Sequence, residues 1–293
     1  MKGWYEYNEE KSGINPEATL KKWAVQMGRT TNNLKMAILK TFLGLKNSLL
    51  DFVFPAHCLL CGSFLSSETE EEKSEGSRPA SLVCADCWEN LNILPHPLCP
   101  LCRAFLNQSQ DAFAKMRRCP NCAESSLSLN WSLGLFDSFY QTLIHYFKYK
   151  RKISLGKKLG RRLGEILKQD GFLKEYDCLI PVPLHPSRER ERGYNQSKIL
   201  AEEISKLCSL PLLDKVLLRK KKTKDQTNLL PEERERNVKG AFRVSDNLVL
   251  KGKRVLLVDD VMTTGATLEE CSKVLKEAGA KEVAGATVVV VNN

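Results

Sequence analysis

The sequence predicts an α/β protein in which helices cover a parallel sheet, with a small cysteine-rich module in front of it. Three observations carry that reading. The apolar runs DCLIPVPL, RVLLVDDV and VAGATVVVV alternate with helical stretches at 153–168, 194–208 and 267–278, as strands buried on both faces alternate with crossover helices. Eight of the 11 cysteines fall into four Cys-x-x-Cys pairs, all ahead of those runs. The strand RVLLV leads directly into two aspartates and a threonine-glycine loop, DDVMTTGAT.

Length and charge bound the reading further. The chain has 293 residues, room for one sizeable α/β domain and a smaller module. Lys and Arg number 45 against 35 Asp and Glu, a net charge of +10 that favours phosphorylated or polyanionic partners over acidic surfaces. No apolar run approaches the ~18 residues that cross a bilayer. The opening MKGWYEYNEEKSG lacks the apolar centre of a secretion signal, so a cytoplasmic protein without a transmembrane segment is expected.

Taken in order, residues 1–33 are polar and aperiodic and read as a poorly ordered extension. Over 34–54, Ile38, Phe42, Leu45, Leu49 and Phe52 recur at three- and four-residue spacing with Lys35, Lys40 and Lys46 between them. That pattern predicts an amphipathic helix ended by Pro55, its apolar stripe docked on a neighbouring domain rather than on a membrane. Residues 55–128 hold the cysteine pairs and an acidic, apolar-poor insertion at 66–78, which reads as a linker. Residues 130–293 carry the alternating pattern of the α/β domain.

Two thiolates separated by two residues can face one ion from a tight turn, and two such turns supply the four ligands of a tetrahedral structural zinc. The pairs are separated by 22, 11 and 16 residues. That spacing fits two sequential sites, Cys58, Cys61, Cys84 and Cys87, then Cys99, Cys102, Cys119 and Cys122. Such sites are closed and hold a fold together without reacting; interleaved ligation remains compatible with the same spacing. Thiol exchange is the weaker reading, because four pairs within 65 residues are too regular for one redox centre. His57 and His96, near ligands, read as structural. The lone Cys178, Cys208 and Cys271 read as small buried hydrophobes.

The strand ending at Asp259 and Asp260 puts both carboxylates at the carboxyl edge of a parallel sheet, where open α/β folds bind ligands. Thr263, Thr264, Gly265, Ala266 and Thr267 then lead into a helix, so free amides and hydroxyls form a phosphate cradle. A phosphate at the loop and hydroxyls at the carboxylates together describe a sugar phosphate.

The stretch VLLVDDVMTTGAT resembles the phosphoribosyl pyrophosphate motif of type I phosphoribosyltransferases. LIPVPLHPSRERERGYNQSKILAEEI (179–204) and DQTNLLPEERERNVKGAF (225–242) are similar to the ComF family of competence and gluconate-utilisation-related proteins, whose zinc ribbon agrees with the cysteine pairs. The resemblance runs from about Leu49 to Val291. It implies a type I phosphoribosyltransferase fold behind a double zinc ribbon. It also implies that Asp259 and Asp260 hold ribose hydroxyls, that Thr263 to Thr267 bind the 5′-phosphate, and that Mg²⁺ accompanies the diphosphate. PVPLHPSR lies where related enzymes place their pyrophosphate loop, which makes Leu184, His185, Arg188 and Arg192 diphosphate contacts; arginine forks suit phosphate oxygens. On the residues alone, RERERG also reads as a solvated ladder of Arg188 with Glu191 and Glu189 with Arg192.

Asn195 reads as a helix cap and Gln196 as a reader of a base or other acceptor. Lys148, Lys150, Arg151, Lys152, Lys157, Lys158, Arg161 and Arg162 cluster beside Tyr146, Phe147 and Tyr149, a composition that can track single-stranded DNA. The same lysines and arginines also fit the wet face of a helix whose core stripe is Leu155, Leu159, Leu163 and Ile166. Gly156, Gly160 and Gly164 predict close packing of that helix on the sheet. The basic run RKKKTK (219–224) reads as a loop that closes over substrate or as an exposed hairpin tip. Two functions follow: an enzyme that releases diphosphate from phosphoribosyl pyrophosphate, or a non-catalytic factor that holds single-stranded DNA for the DNA-uptake machinery. A glutamine-dependent amidotransferase is disfavoured, since no processed N-terminal cysteine and no room for a glutaminase domain are present.

Overall fold

A computed structural model describes residues 56–65, 82–91, 99, 101–102, 119, 122–169, 171–221 and 230–291. The expected extension 1–33, helix 34–54 and insertion 66–78 lie outside them, as do His96 and Lys222 to Lys224 of the basic run. The chain forms two compact units, one of Met1–His57 and Phe64–Ala80, the other of Cys58–Ser63 and Ser81–Asn293. In the first, His57 forms an antiparallel bridge with Phe64, their ring centroids 4.7 Å apart.

The second unit holds a four-stranded parallel sheet of order β1-β6-β5-β2, comprising β1 (Asn130–Leu135), β2 (Cys178–Pro181), β5 (Arg254–Met262) and β6 (Glu282–Val290). The antiparallel pair β3 (Leu217–Arg219) and β4 (Phe242–Val244) stands apart from it. Residues of β5 from Val255 to Val258 are buried without interruption, which is why the strand reads as a continuous apolar run rather than an alternating one.

Seven described helices complete the unit: α1 (Ala85–Glu89), α2 (Ser138–Tyr149), α3 (Ile153–Gln169), α4 (Pro186–Arg192), α5 (Gln196–Cys208), α6 (Pro231–Val238) and α7 (Ala266–Glu277). Four of the starts have a local cause. Asp137 caps α2 by accepting from Tyr140 N at 2.9 Å, and Asn195 caps α5 by accepting from Ser197 N at 3.0 Å. Proline at the first position of α4 and α6 has its ring angle already set for a helix.

The glycines of α3 meet other helices, which corrects the expectation that they pack on the sheet. A Cβ at Gly156 would overlap the Phe147 ring at 2.2 Å, and one at Gly160 would lie 2.9 Å from the Leu200 carbonyl oxygen. One at Gly164 would lie 3.1 Å from Leu207. The helix therefore turns a bare backbone face to α2 and α5. Its buried leucines are Leu155, Leu159, Leu163 and Leu167; the last takes the place expected for Ile166, which is half-buried. Of the lone cysteines, Cys178 and Cys271 are buried and Cys208 is half-buried.

In an open helix Gly→Ala stabilises by up to ~1 kcal/mol, but the backbone oxygen of Leu200 cannot yield to a methyl at position 160. Gly160→Ala is expected to lower stability by ~1–3 kcal/mol, the range for overpacking, while Lys157→Ala on the exposed face stays within ~0.5 kcal/mol. Urea midpoints of the two variants against the parent check the loss at position 160 and its absence at position 157.

Candidate functional site

Asp259 and Asp260 lie near the carboxyl end of β5, which runs two residues past them to Met262 rather than ending at them; Asp260 is 6% exposed and Asp259 is half-buried. Three donors meet them. Ser197 Oγ donates to Asp259 Oδ1 at 2.8 Å, the Asp260 amide donates to the same oxygen at 2.9 Å, and Lys148 Nζ lies 2.8 Å from Asp260 Oδ1. Burial and the neighbouring Asp260 carboxylate push Asp259 up to about 7, against the Ser197 hydroxyl and the Lys148 ammonium, which pull it down.

Lys148 also lines a cleft of about 290 Å³ together with Tyr149, Arg151, Arg188, Glu191 and Arg192. Four cations face one carboxylate there, a field that suits a polyanion. The Arg192 guanidinium lies over the Tyr149 ring, 5.5 Å from its centroid. Arg151 donates to the Glu191 carbonyl at 3.4 Å from a left-handed backbone position, φ 53°. In that conformation the chain reverses between α2 and α3 and keeps the end of α2 against α4.

Thr263, Thr264 and Gly265 form the turn after β5, while Ala266 and Thr267 already belong to the first turn of α7. Thr263, Thr264, Gly265, Ala266 and Thr267 are half-buried, and Gly265 has φ 80°. The left-handed backbone favours glycine, while a Cβ there would lie 2.8 Å from Met262 Cε, a flexible side-chain end that could move aside. Thr264 Oγ1 accepts from Ala266 N at 3.4 Å, and Glu269 N donates to the Gly265 carbonyl at 2.9 Å, opening α7.

Of the other expected residues, His185 caps α4, its Nδ1 accepting from Ser187 N at 3.3 Å, and Leu184 is half-buried just before it. Arg188 and Arg192 reach the cleft. Both ends of the Asn195 amide are occupied, one by Ser197 N and the other by the Val182 carbonyl at 3.1 Å. Gln196 is 1% exposed and its Nε2 has no hydrogen-bond partner. Lys157, Arg161 and Arg162 lie exposed and Lys158 half-buried on α3, with Arg162 paired to Glu165 at 3.2 Å; none of these four lines the cleft. The structure thus divides the basic cluster, giving Lys148 and Arg151 to the cleft, Lys150 and Lys152 to the turn between α2 and α3, and the rest to the face of α3. Ser197 and Lys148 are the partners of the carboxylates that sequence reasoning left without that role; Ser197 sits within GYNQS, one position past two residues it did single out.

The cysteines form two groups, Cys58, Cys61, Cys84 and Cys87, then Cys99, Cys102, Cys119 and Cys122, with all sulfurs of a group within 4.8 Å of one another. Cys61 and Cys84 sulfurs are 3.7 Å apart, and those of Cys102 and Cys119 are 3.5 Å apart. Bonds of ~2.3 Å in a tetrahedron put sulfurs about 3.8 Å apart, so the donor set and its spacing fit structural Zn²⁺ at both. The sequential pairing is the one realised.

Because Asp259 is raised in the folded state above its ordinary carboxylate value, the protonated form is favoured by folding. Its stabilising contribution is complete below about pH 4, declines as the unfolded chain ionises, and is gone once pH passes about 7. Asp259→Asn removes that dependence. Urea midpoints at pH 5, 6, 7 and 8 are expected to fall for the parent relative to the variant up to about pH 7 and to run parallel above it.

Comparison with known proteins agrees with this arrangement. Residues 191–293 match a phosphoribosyl transferase domain, and residues 49–126 a double zinc ribbon domain. Competence protein F of Haemophilus influenzae is 32% identical over 216 residues, 68% of this chain and 93% of that protein. The DNA utilization protein YhgH of Escherichia coli K12 is 34% identical over 144 residues, 48% of this chain and 63% of that protein, so the match spans less than two thirds of that relative. Among solved structures, a Bacillus subtilis glutamine phosphoribosylpyrophosphate amidotransferase aligns over 50% of this chain and 30% of that one, with 24% identity and a TM-score of 0.35, too low to weigh in the assignment. No described helix is long and apolar enough to cross a membrane. With a phosphoribosyltransferase-type domain behind a double zinc ribbon and a relative matched over nearly its whole length, the chain belongs to the ComF family.

Proposed function

We propose that the protein binds phosphoribosyl pyrophosphate with Mg²⁺ and transfers its phosphoribosyl group to an acceptor, releasing diphosphate. One observation carries this reading: the Lys148 ammonium joins the carboxylate pair to the cationic cleft, 2.8 Å from Asp260 and on the wall shared with Arg188 and Arg192. Acceptors for sugar hydroxyls and donors for a diphosphate therefore stand side by side.

In this reading Asp259 and Asp260 accept from the ribose hydroxyls, while the Thr263 to Thr267 amides and hydroxyls grip the 5′-phosphate. Arg188, Arg192 and Lys148 face the diphosphate, with Leu184 and His185 bordering it. Oxygen donors beside a diphosphate site fit Mg²⁺, which binds through one or two carboxylates plus substrate phosphates; bound there, it neutralises diphosphate charge. The bond between the anomeric carbon and diphosphate breaks with its electron pair leaving on diphosphate, and the cations stabilise that developing charge. The carboxylates stabilise positive charge on the ribose as the acceptor bonds to the same carbon. Of Asn195 and Gln196, only Gln196 keeps an unpartnered group for an acceptor.

A second reading, a non-catalytic single-stranded-DNA-binding factor of the uptake machinery, is favoured by the exposed Lys157, Arg161 and Arg162 on α3 and by Tyr149, which is 52% exposed. The competence and DNA-utilization names of the relatives support it too.

Calorimetric titration with phosphoribosyl pyrophosphate and Mg²⁺, followed by assay of released diphosphate, separates the readings. Asp259→Asn with Asp260→Asn is expected to abolish binding, and Lys148→Met to weaken it by about tenfold, the effect of losing one hydrogen bond to a charged group. Binding without turnover under any nucleobase supports the second reading; absence of binding by the parent sinks the first. Neutralising Lys157, Lys158, Arg161 and Arg162 is expected to reduce the salt slope of single-stranded DNA binding by about 0.7 per lost phosphate contact and to leave phosphoribosyl pyrophosphate affinity unchanged.

A further inference from the structure

The two cysteine sites are built differently. The first is tied together by its own backbone, with Cys58 N donating to the Ser63 carbonyl at 2.8 Å and Leu59 N to the Leu82 carbonyl at 3.0 Å. Among the described residues, its cysteines are not part of the apolar cluster that contains Val255, Leu257 and Val283 of the sheet. Cys99 and Cys119 of the second site are, together with Leu101 and Leu127, and they share that core with Met262, Leu268, Cys271 and Leu275. Met262 is also the residue whose methyl lies beneath Gly265 in the phosphate loop.

A hydrogen-bonded path runs the same way. Cys119 N donates to Cys99 Sγ at 3.4 Å, Cys122 N to the Cys119 carbonyl at 2.9 Å, and Ser125 N to the Cys122 carbonyl at 3.2 Å. Ser125 Oγ then donates to Glu269 Oε2 at 2.7 Å, and Ser126 N reaches Glu269 Oε1 at 3.0 Å and Oε2 at 3.1 Å. Glu269 lies in the first turn of α7, and its own amide donates to the Gly265 carbonyl at 2.9 Å.

We propose that the second cysteine site sets the geometry of the phosphate loop, with Glu269 as the positioning residue that links them. A glutamate in a first turn often serves only to offset the positive helix end. Here both carboxylate oxygens accept from the segment following Cys122, while Lys273 on the same helix stands further off, 3.6 Å from Oε1. Burial alone would push Glu269 up, yet the hydrogen bonds from Ser125 and Ser126 hold it below the usual carboxylate range, as expected of an anion that is fully engaged. Zinc at Cys99, Cys102, Cys119 and Cys122 fixes where Ser125 and Ser126 stand. They fix Glu269, and Glu269 fixes the first backbone bond of α7 and the amides of Thr263 to Thr267. When that segment lets go, the loop loses its anchor and Glu269 keeps only the Lys273 ammonium, 3.6 Å from its Oε1. The effect on ligand affinity rests on the phosphoribosyl pyrophosphate reading; the effect on loop order does not.

Hydrogen–deuterium exchange of the zinc-loaded full chain tests this, with zinc content measured for each variant. Glu269→Ala is expected to keep the parent's zinc content while the backbone amides from Thr263 to Glu270 exchange about tenfold faster, the factor for one lost hydrogen bond to a charged group. Cys61→Ser, which removes a ligand of the first site, is expected to leave those amides at the parent's rate, and Cys122→Ser to accelerate them. Parent-like exchange in Glu269→Ala, or equal acceleration by Cys61→Ser, overturns the proposal even if Cys122→Ser fails to fold. In calorimetry Glu269→Ala is expected to bind phosphoribosyl pyrophosphate about tenfold more weakly. A parent that does not bind it overturns the ligand reading and leaves the exchange comparison to decide the coupling.

Discussion

Two carboxylates held side by side at the end of a buried strand repel each other and resist leaving water, and much of the second unit is arranged around that difficulty. Asp260 is met by Lys148 from the end of α2, and Asp259 by Ser197 from the first turn of α5. Both helices are kept in place by α3. Its Gly156 admits the ring of Phe147, the neighbour of Lys148, and its Gly160 admits the backbone of Leu200, one turn beyond Ser197. The bare face of one helix thus lets two others come close enough for their polar residues to reach the same strand end.

The cysteine chemistry serves two different purposes within one ribbon pattern. The first group closes a turn-rich element held by short backbone hydrogen bonds among the described residues, where metal ligation would add to the burial of Cys58 and Val83. The second group is part of the α/β core, so its ligands contribute apolar contacts as well as sulfur. Equal spacing in sequence conceals unequal integration in the fold.

Much of the fold was legible because its signals are local. RVLLV and VAGATVVVV are continuous apolar runs, as strands covered on both faces must be, and DDVMTTGAT places carboxylates and a glycine turn at a fixed offset from a strand end. The cysteine gaps likewise pointed to the pairing that the sulfur positions bear out. What was not legible depends on distance. Lys148 stands far from Asp260 along the chain, and FKYKRK reads equally well as a solvated or DNA-facing run; only the turn at Arg151 and the packing of Phe147 select the cleft. The glycines of α3 announce a close approach but not its partner, and three-residue strands such as β3 and β4 carry too short a pattern to stand out.

The strand order has a consequence in time. β6 lies between β1 and β5, and Asn130 on β1 hydrogen-bonds Thr287 on β6 across 157 positions of sequence. Closing so long a loop costs entropy before any pairing offsets it, and folds dominated by such contacts form slowly. Until β6 arrives, β1 and β5 each present an unpaired edge, the kind of surface on which nascent chains associate wrongly. During synthesis the chain therefore carries an incomplete sheet until β6, its last described strand, has emerged.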